Sequence, residues 1–221
     1  SEINVQRNIE FLNMLSFTEH MVSFEIVGSS DTIAIQIVCG EYDIGRVRSQ
    51  IQAYFPTAIV RDIDITEFGF NEEKEIAIAD FGLNDEYMRS IHTTESFSID
   101  PLTSVIATME SLQGNEVAVL QILFKGITSP LAKDTIYAVS DGAGGSFFSD
   151  SPEMPICAKD KISNPLFSVV MRMATQGDNN RESQYLAQEL ARSITSISQS
   201  QYNKLIPLSN EGCDYDFHTY N

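Results

Sequence analysis

Two hydrophobic periods alternate along the chain, and the switches between them outline its elements. Over residues 4–15, Val5, Ile9 and Leu12 recur at helical spacing. In VSFEIVG (22–28) the period is two: Val22, Phe24 and Ile26 alternate with Ser23, Glu25 and Val27. A polar turn, SSD (29–31), leads into TIAIQIVCG (32–40), where Ile33, Ile35 and Ile37 share one side; the two runs predict a β-hairpin. The helical period returns in EYDIGRVRSQIQAYF (41–55) through Ile44, Val47, Ile51 and Tyr54, and Pro56 stops that helix. TAIVRDIDIT (57–66) predicts a third strand.

The second half runs in the same order. Asp100-Pro101 starts a helix, because Asp caps free N–H groups and Pro suits the first turn. Leu102, Val105, Met109 and Leu112 form its stripe, and Gln113-Gly114-Asn115 ends it. EVAVLQILFKGI (116–127) and PLFSVVMRMAT (165–175) predict strands. RESQYLAQELARSITSI (181–197) carries Leu186, Leu190, Ile194 and Ile197 on one helical face, and NKLIPLS (203–209) predicts a closing strand. KEIAIADFGL (74–83) and MRSIHTT (88–94) predict two bridging strands.

The fold class that follows is α+β: two repeated helix–strand–strand–helix–strand units, ferredoxin-like, with antiparallel or mixed sheets. The first unit spans 1–66, bridging strands 67–99, and the second unit 100–221, with a hairpin insertion at 128–164. Structural duplication explains the shared order. Coincidence is the alternative, because such orders are common in α+β domains.

Charge narrows the partners. Acidic residues outnumber basic ones 31 to 14, a net charge of −17, so the chain repels phosphate backbones and direct nucleic-acid binding is not expected. Basic protein surfaces are the natural partners. There is no run of about 18 apolar residues that would span a membrane, and the start, SEINVQRNIEF, does not read as a signal peptide. Cys39, Cys157 and Cys213 form no CxxC pair and read as reduced thiols in a cytoplasmic setting, Cys39 as a small core residue.

The candidate chemistry is sparse. VSDGAGGSFFSD (139–150) has Gly142, Gly144 and Gly145 after TIYAV, a predicted strand, which invites a phosphate-loop reading. No Lys lies between Lys133 and Lys159, no helix start follows, and Asp141 and Asp150 would repel phosphate; the stretch reads as a connecting loop. Among His20, His92 and His218, none is placed with a nucleophile in a catalytic pattern. Cys213, Asp214, Asp216 and His218 match no zinc spacing and read as a surface tail. Asp62 and Asp64 could hold a cation from one strand face, although a solvated face is commoner. Met171 and Met173 read as core or interface filler. A small acidic, metal-dependent enzyme using Asp62 and Asp64 or the tail ranks last, and no catalytic, cofactor-binding or metal residue is assigned.

Residues 11–64, with SFEIV (23–27) and VRSQIQAYFP (47–56), resemble the opening of large bacterial conjugative-transfer and type IV secretion ATPases of the HerA–FtsK superfamily. The resemblance resumes over 88–124, over DKISNPLFSVVMRMATQGDNNRESQYLAQELARSI (160–194) and over NKLIPLSNEGCDYDFHTYN (203–221), but not over 128–159. It implies the N-terminal, non-catalytic region that precedes a nucleotide-binding motor, whose Walker motifs are not in these residues. The resemblance carries no catalytic residue over. The expectation is an accessory domain working through protein contacts, with secretion components or basic surfaces as partners. It would be cytoplasmic, at the inner face of the membrane through segments outside these residues. The alternative is a stand-alone adaptor or homo-oligomerisation module.

Overall fold

The structure is a computed structural model and describes residues 5–63, 70–91, 100, 102–127, 131–142, 145–163 and 165–208. Six strands form one antiparallel sheet, in the order β2-β1-β4-β5-β3-β6. The strands are β1 (Val22–Ser29), β2 (Ile33–Val38), β3 (Ile76–Leu83), β4 (Val117–Gly126), β5 (Phe167–Gln176) and β6 (Leu205–Pro207). The helices are α1 (Val5–Leu15), α2 (Ile44–Tyr54), α3 (Thr103–Glu110), α4 (Leu131–Val139), α5 (Met154–Lys161) and α6 (Asn180–Ser198). The α+β class is as the sequence predicts, and of the antiparallel or mixed arrangements it allows, the sheet takes the antiparallel one.

One sheet face carries the main core. Ile26, Ala77, Phe81, Ala118, Leu120 and Met173 lie there beneath Val105 and Met109 of α3 and Leu186, Leu190 and Ile194 of α6. Met173 is buried in this core and Met171 packs on it, so the two methionines are filler, as expected. Gly28 lets α3 come close: a Cβ on it would sit 2.8 Å from the Met109 Cβ. The N-cap Asn179 accepts from the Glu182 N–H at 3.1 Å, and its amide donates back to Glu182 Oε1 at 2.8 Å, which fixes the start of α6. On the opposite face Val27, Val119 and Ala174 pack with Phe70, Ile76 and Ile78. Helix α1 leans on α2 through Phe11, whose ring meets those of Tyr54 and Phe55.

Several expected elements differ. Residues 57–63 form no strand, and 64–66 lie outside the described residues; the first half's remaining strand is β3, within the expected bridging segment. Met88–Ile91 form no strand either, and 92–94 lie outside the described residues. TIYAV is the end of helix α4 rather than a strand: Thr135 and Val139, four residues apart, are its buried face. Between the paired strands β4 and β5 lie α4 and α5, which pack around Val139, Met154 and Ala158.

Both halves contribute to the single sheet, and β3 pairs with β5 and β6 instead of with its own hairpin. Asn203, just before β6, fastens the 85–89 loop. Its amide donates to the carbonyls of Asp85, Glu86 and Arg89 at 3.2, 3.2 and 3.0 Å.

Candidate functional site

Each of five adjacent strands has a polar side chain between two apolar neighbours, and the register lines these residues up on one face. Gln36 faces Glu25, Glu25 faces Gln121, Gln121 faces Arg172, and Arg172 faces Asp80. Glu25, Gln121 and Arg172 are buried. Gln121 Nε2 donates to Glu25 Oε1 at 2.7 Å, Ser23 Oγ donates to the same oxygen at 2.8 Å, and the Gln36 amide donates to Glu25 Oε2. Arg172 Nε lies 3.2 Å from Asp80 Oδ1, an ion pair at the other end. The amide oxygens of Gln36 and Gln121 are buried without a hydrogen-bond partner. The Arg172 guanidinium is paired with Asp80, whereas Glu25, toward the β2 end of the row, is met by a hydroxyl and two amides and by no cation among the described residues.

None of these five residues was singled out as a site in the sequence. The signal in the sequence is the repeated interruption: FEI, IQI, LQI, MRM and ADF each set a polar residue between two apolar ones. Glu25 alternates with the apolar Phe24 and Ile26, as a solvent-facing residue would, but it is buried.

A second feature lies at the corner where β2 runs into α2. A single 3-10 turn, Glu41–Asp43, carries the buried Asp43. Its carboxylate accepts from the backbone N–H groups of Glu19 at 3.1 Å and His20 at 3.0 Å. Burial pushes the Asp43 carboxyl up, but the two N–H donors and the His20 and Arg46 charges outweigh this and hold it below the ordinary range. The His20 ring stacks on Tyr42, and Arg46 Nη1 donates to the Phe17 carbonyl. These ties hold a corner of exposed apolar side chains: Phe17, Met21, Val38, Tyr42 and Ile44, with Tyr42 83% exposed.

The other candidates disperse. Asp62 is exposed and ion-paired with Arg48, away from any strand, while Asp64, His92, Cys213, Asp214, Asp216 and His218 lie outside the described residues. Burial pushes the Cys39 and Cys157 thiols up, with help from Asp43 and Glu153 respectively. Cys39 is half-buried at the end of β2, not in the core.

The glycine stretch closes on itself: Asp141 N–H donates to the Gly145 carbonyl at 3.0 Å, and Gly145 N–H returns to Asp141 Oδ1 at 2.8 Å. Gly142 takes φ +78° in that turn. The loop reading holds for its described residues, and the Asp141 carboxylate occupies the N–H that a phosphate would need. Among the described residues no three His, Cys, Asp or Glu side chains converge as metal ligands. A cleft of about 420 Å³ beside α1 and α2 is lined by Gln6, Arg7, Glu10, Ala53, Tyr54 and Pro56, with charges of both signs. Among the described residues no helix is long and apolar enough to cross a membrane.

The fold and these features define an antiparallel α+β domain with a buried polar row and an exposed apolar corner. Residues 4–140 match the family described as a domain of unknown function, DUF8128, and the chain belongs to that family. The match ends just past α4, so α6 and the strands β5 and β6 lie beyond it, and these are the two strands that β3 pairs with. No curated protein and no solved structure matches the chain.

Proposed function

We propose that the chain is a non-catalytic assembly domain of a DNA-translocating ATPase of the conjugative-transfer or type IV secretion kind, acting through contacts with other proteins. The supporting observation is the exposed apolar corner of Phe17, Met21, Val38, Tyr42 and Ile44, held in place by Asp43. Loose side chains would lose this surface to local collapse, whereas a buried carboxylate that pins two backbone N–H groups maintains it. A stand-alone adaptor is the second reading, and the same corner supports it equally; the ATPase context comes from the sequence resemblance alone.

Photo-crosslinking in the native host tests both. A benzoylphenylalanine at position 42 is expected to capture a translocation or secretion component, identified by mass spectrometry. The same probe at Tyr185 on α6, also exposed, is the control. Adducts to unrelated proteins select the adaptor reading over the ATPase one. Identical adducts from both positions, or none from position 42, overturn the assembly reading.

A further inference from the structure

We propose that β2 is a docking edge for an extended, basic segment of another protein. That segment would lie antiparallel to β2 and set a lysine or arginine opposite Gln36. The proposal rests on the assembly reading above and names the partner's chemistry.

Strand β2 ends the sheet order, so one side of its backbone is unpaired within the sheet. The turn bond from Ser29 N–H to the Thr32 carbonyl makes 29 and 32 a hydrogen-bonded pair. Bonded pairs alternate from there, so Ala34, Gln36 and Val38 bond to β1, while Ile33, Ile35 and Ile37 turn their N–H and C=O groups outward. The edge lacks the usual protection. Residues 32–38, TIAIQIV, contain no charge and no Pro, and the register with β1 runs without a bulge. Ile35 is 61% exposed beside this outward backbone.

Comparing the two hairpins says what should lie there. In the second hairpin, β5 presents Arg172 to its outer neighbour β3, which answers with Asp80. In the first hairpin, β2 presents Gln36, backed by Glu25, and no strand of the sheet answers. The charge to be met is reversed. A cation opposite Gln36 would donate to its buried, unfilled amide oxygen and would lie near the Glu25 carboxylate. Asp31, in the turn before β2, and Glu41, just after it, make no ion pair among the described residues. The nearby cations Arg46 and Arg48 are held by the Phe17 carbonyl and by Asp62. The net charge of −17 also disfavours a second copy as the occupant.

The probe is a synthetic peptide of about nine residues alternating lysine and valine, long enough to span a strand of ordinary length. Hydrogen exchange is read by NMR on the intact chain. The amides of Ile33, Ile35 and Ile37 are expected to exchange fast in the free chain and to gain roughly tenfold protection or more with the peptide. Those of Ala34, Gln36 and Val38 should not change. A glutamate–valine peptide should have no effect. Replacing the central lysine by norleucine should weaken binding roughly tenfold, as expected for a lost charge-assisted hydrogen bond.

Ile35→Pro should abolish the response while protection in β4 and β5 persists. Equal binding of the acidic peptide, or no loss with norleucine, overturns the proposal. So does protection of the three amides in the free chain: if concentration-dependent it assigns the edge to a second copy, and if concentration-independent to the chain's own residues. Crosslinked partners at position 42 without protection at Ile33, Ile35 and Ile37 sink the docking edge and leave the assembly reading. Protection without crosslinked partners does the reverse.

Discussion

The two hairpins, β1–β2 and β4–β5, are built alike and placed differently. Each carries a cross-strand polar pair on the same sheet row, Glu25 with Gln36 and Gln121 with Arg172, and the two hairpins meet with Glu25 against Gln121. The first closes through the turn at Ser29 and Thr32. The second is interrupted by α4 and α5. Both strands of the second hairpin have outer neighbours, whereas β2 has none in the sheet. The same pairing chemistry is thus structural in the sheet centre and available for contact at its edge. A buried Arg must find its acid within the chain, but a Gln at the rim can wait for a partner.

Proline substitutions should separate the two settings most widely. Leu120→Pro, in the middle of β4, removes a ladder hydrogen bond from the sheet interior and should prevent folding or cost about 3 kcal/mol or more. Circular dichroism and urea melts would show it. Arg172→Met should cost about 3–5 kcal/mol in urea, because Asp80 would be left without its cation. Adding Asp80→Leu should recover part of that loss. If Gln36→Met costs as much as Arg172→Met, the difference between the hairpins collapses.

Asp43→Ala should cost about 1–3 kcal/mol by orphaning the N–H groups of Glu19 and His20. Its pH dependence has a definite sign. The folded-state pKa lies below the unfolded one, so the stabilisation is complete above the ordinary carboxylate pKa, about 4. It disappears as pH falls below that value through the folded pKa. Melting temperatures of wild type and Asp43→Ala should therefore converge in acid and diverge toward neutral pH; a constant gap would refute the role. Ile35→Pro should have the smallest effect, about 1 kcal/mol, since its N–H points away from β1.

Strong periodicity made much of the fold readable. The first hairpin, α2, β4, β5 and α6 stand close to where their patterns put them, because each buries a face that its own period defines. The strand expected at 57–66 was not distinguishable locally from IAIADF at 76–81; the choice depends on pairing with β5, about ninety residues away. TIYAV is rich in strand formers, yet its neighbours LAKD continue a helix whose buried positions fall four apart. The polar row was hidden for a related reason. A polar residue between apolar neighbours looks like a solvent-facing position until the register aligns five of them. The apolar corner was equally hidden, because Phe17 and Tyr42 are distant in sequence and are joined by the hydrogen bonds of Asp43 and Arg46.

The placement of β3 also sets a timetable for synthesis. Its neighbours in the sheet, β5 and β6, are both made later, and Phe167 leaves the ribosome about ninety residues after Ile76. At about 5–20 residues per second, β3 spends some 5 to 20 seconds as an apolar segment with neither partner strand, while the first hairpin can already close. The nascent chain therefore offers chaperones a timed binding segment at 76–83, which the arrival of β5 withdraws.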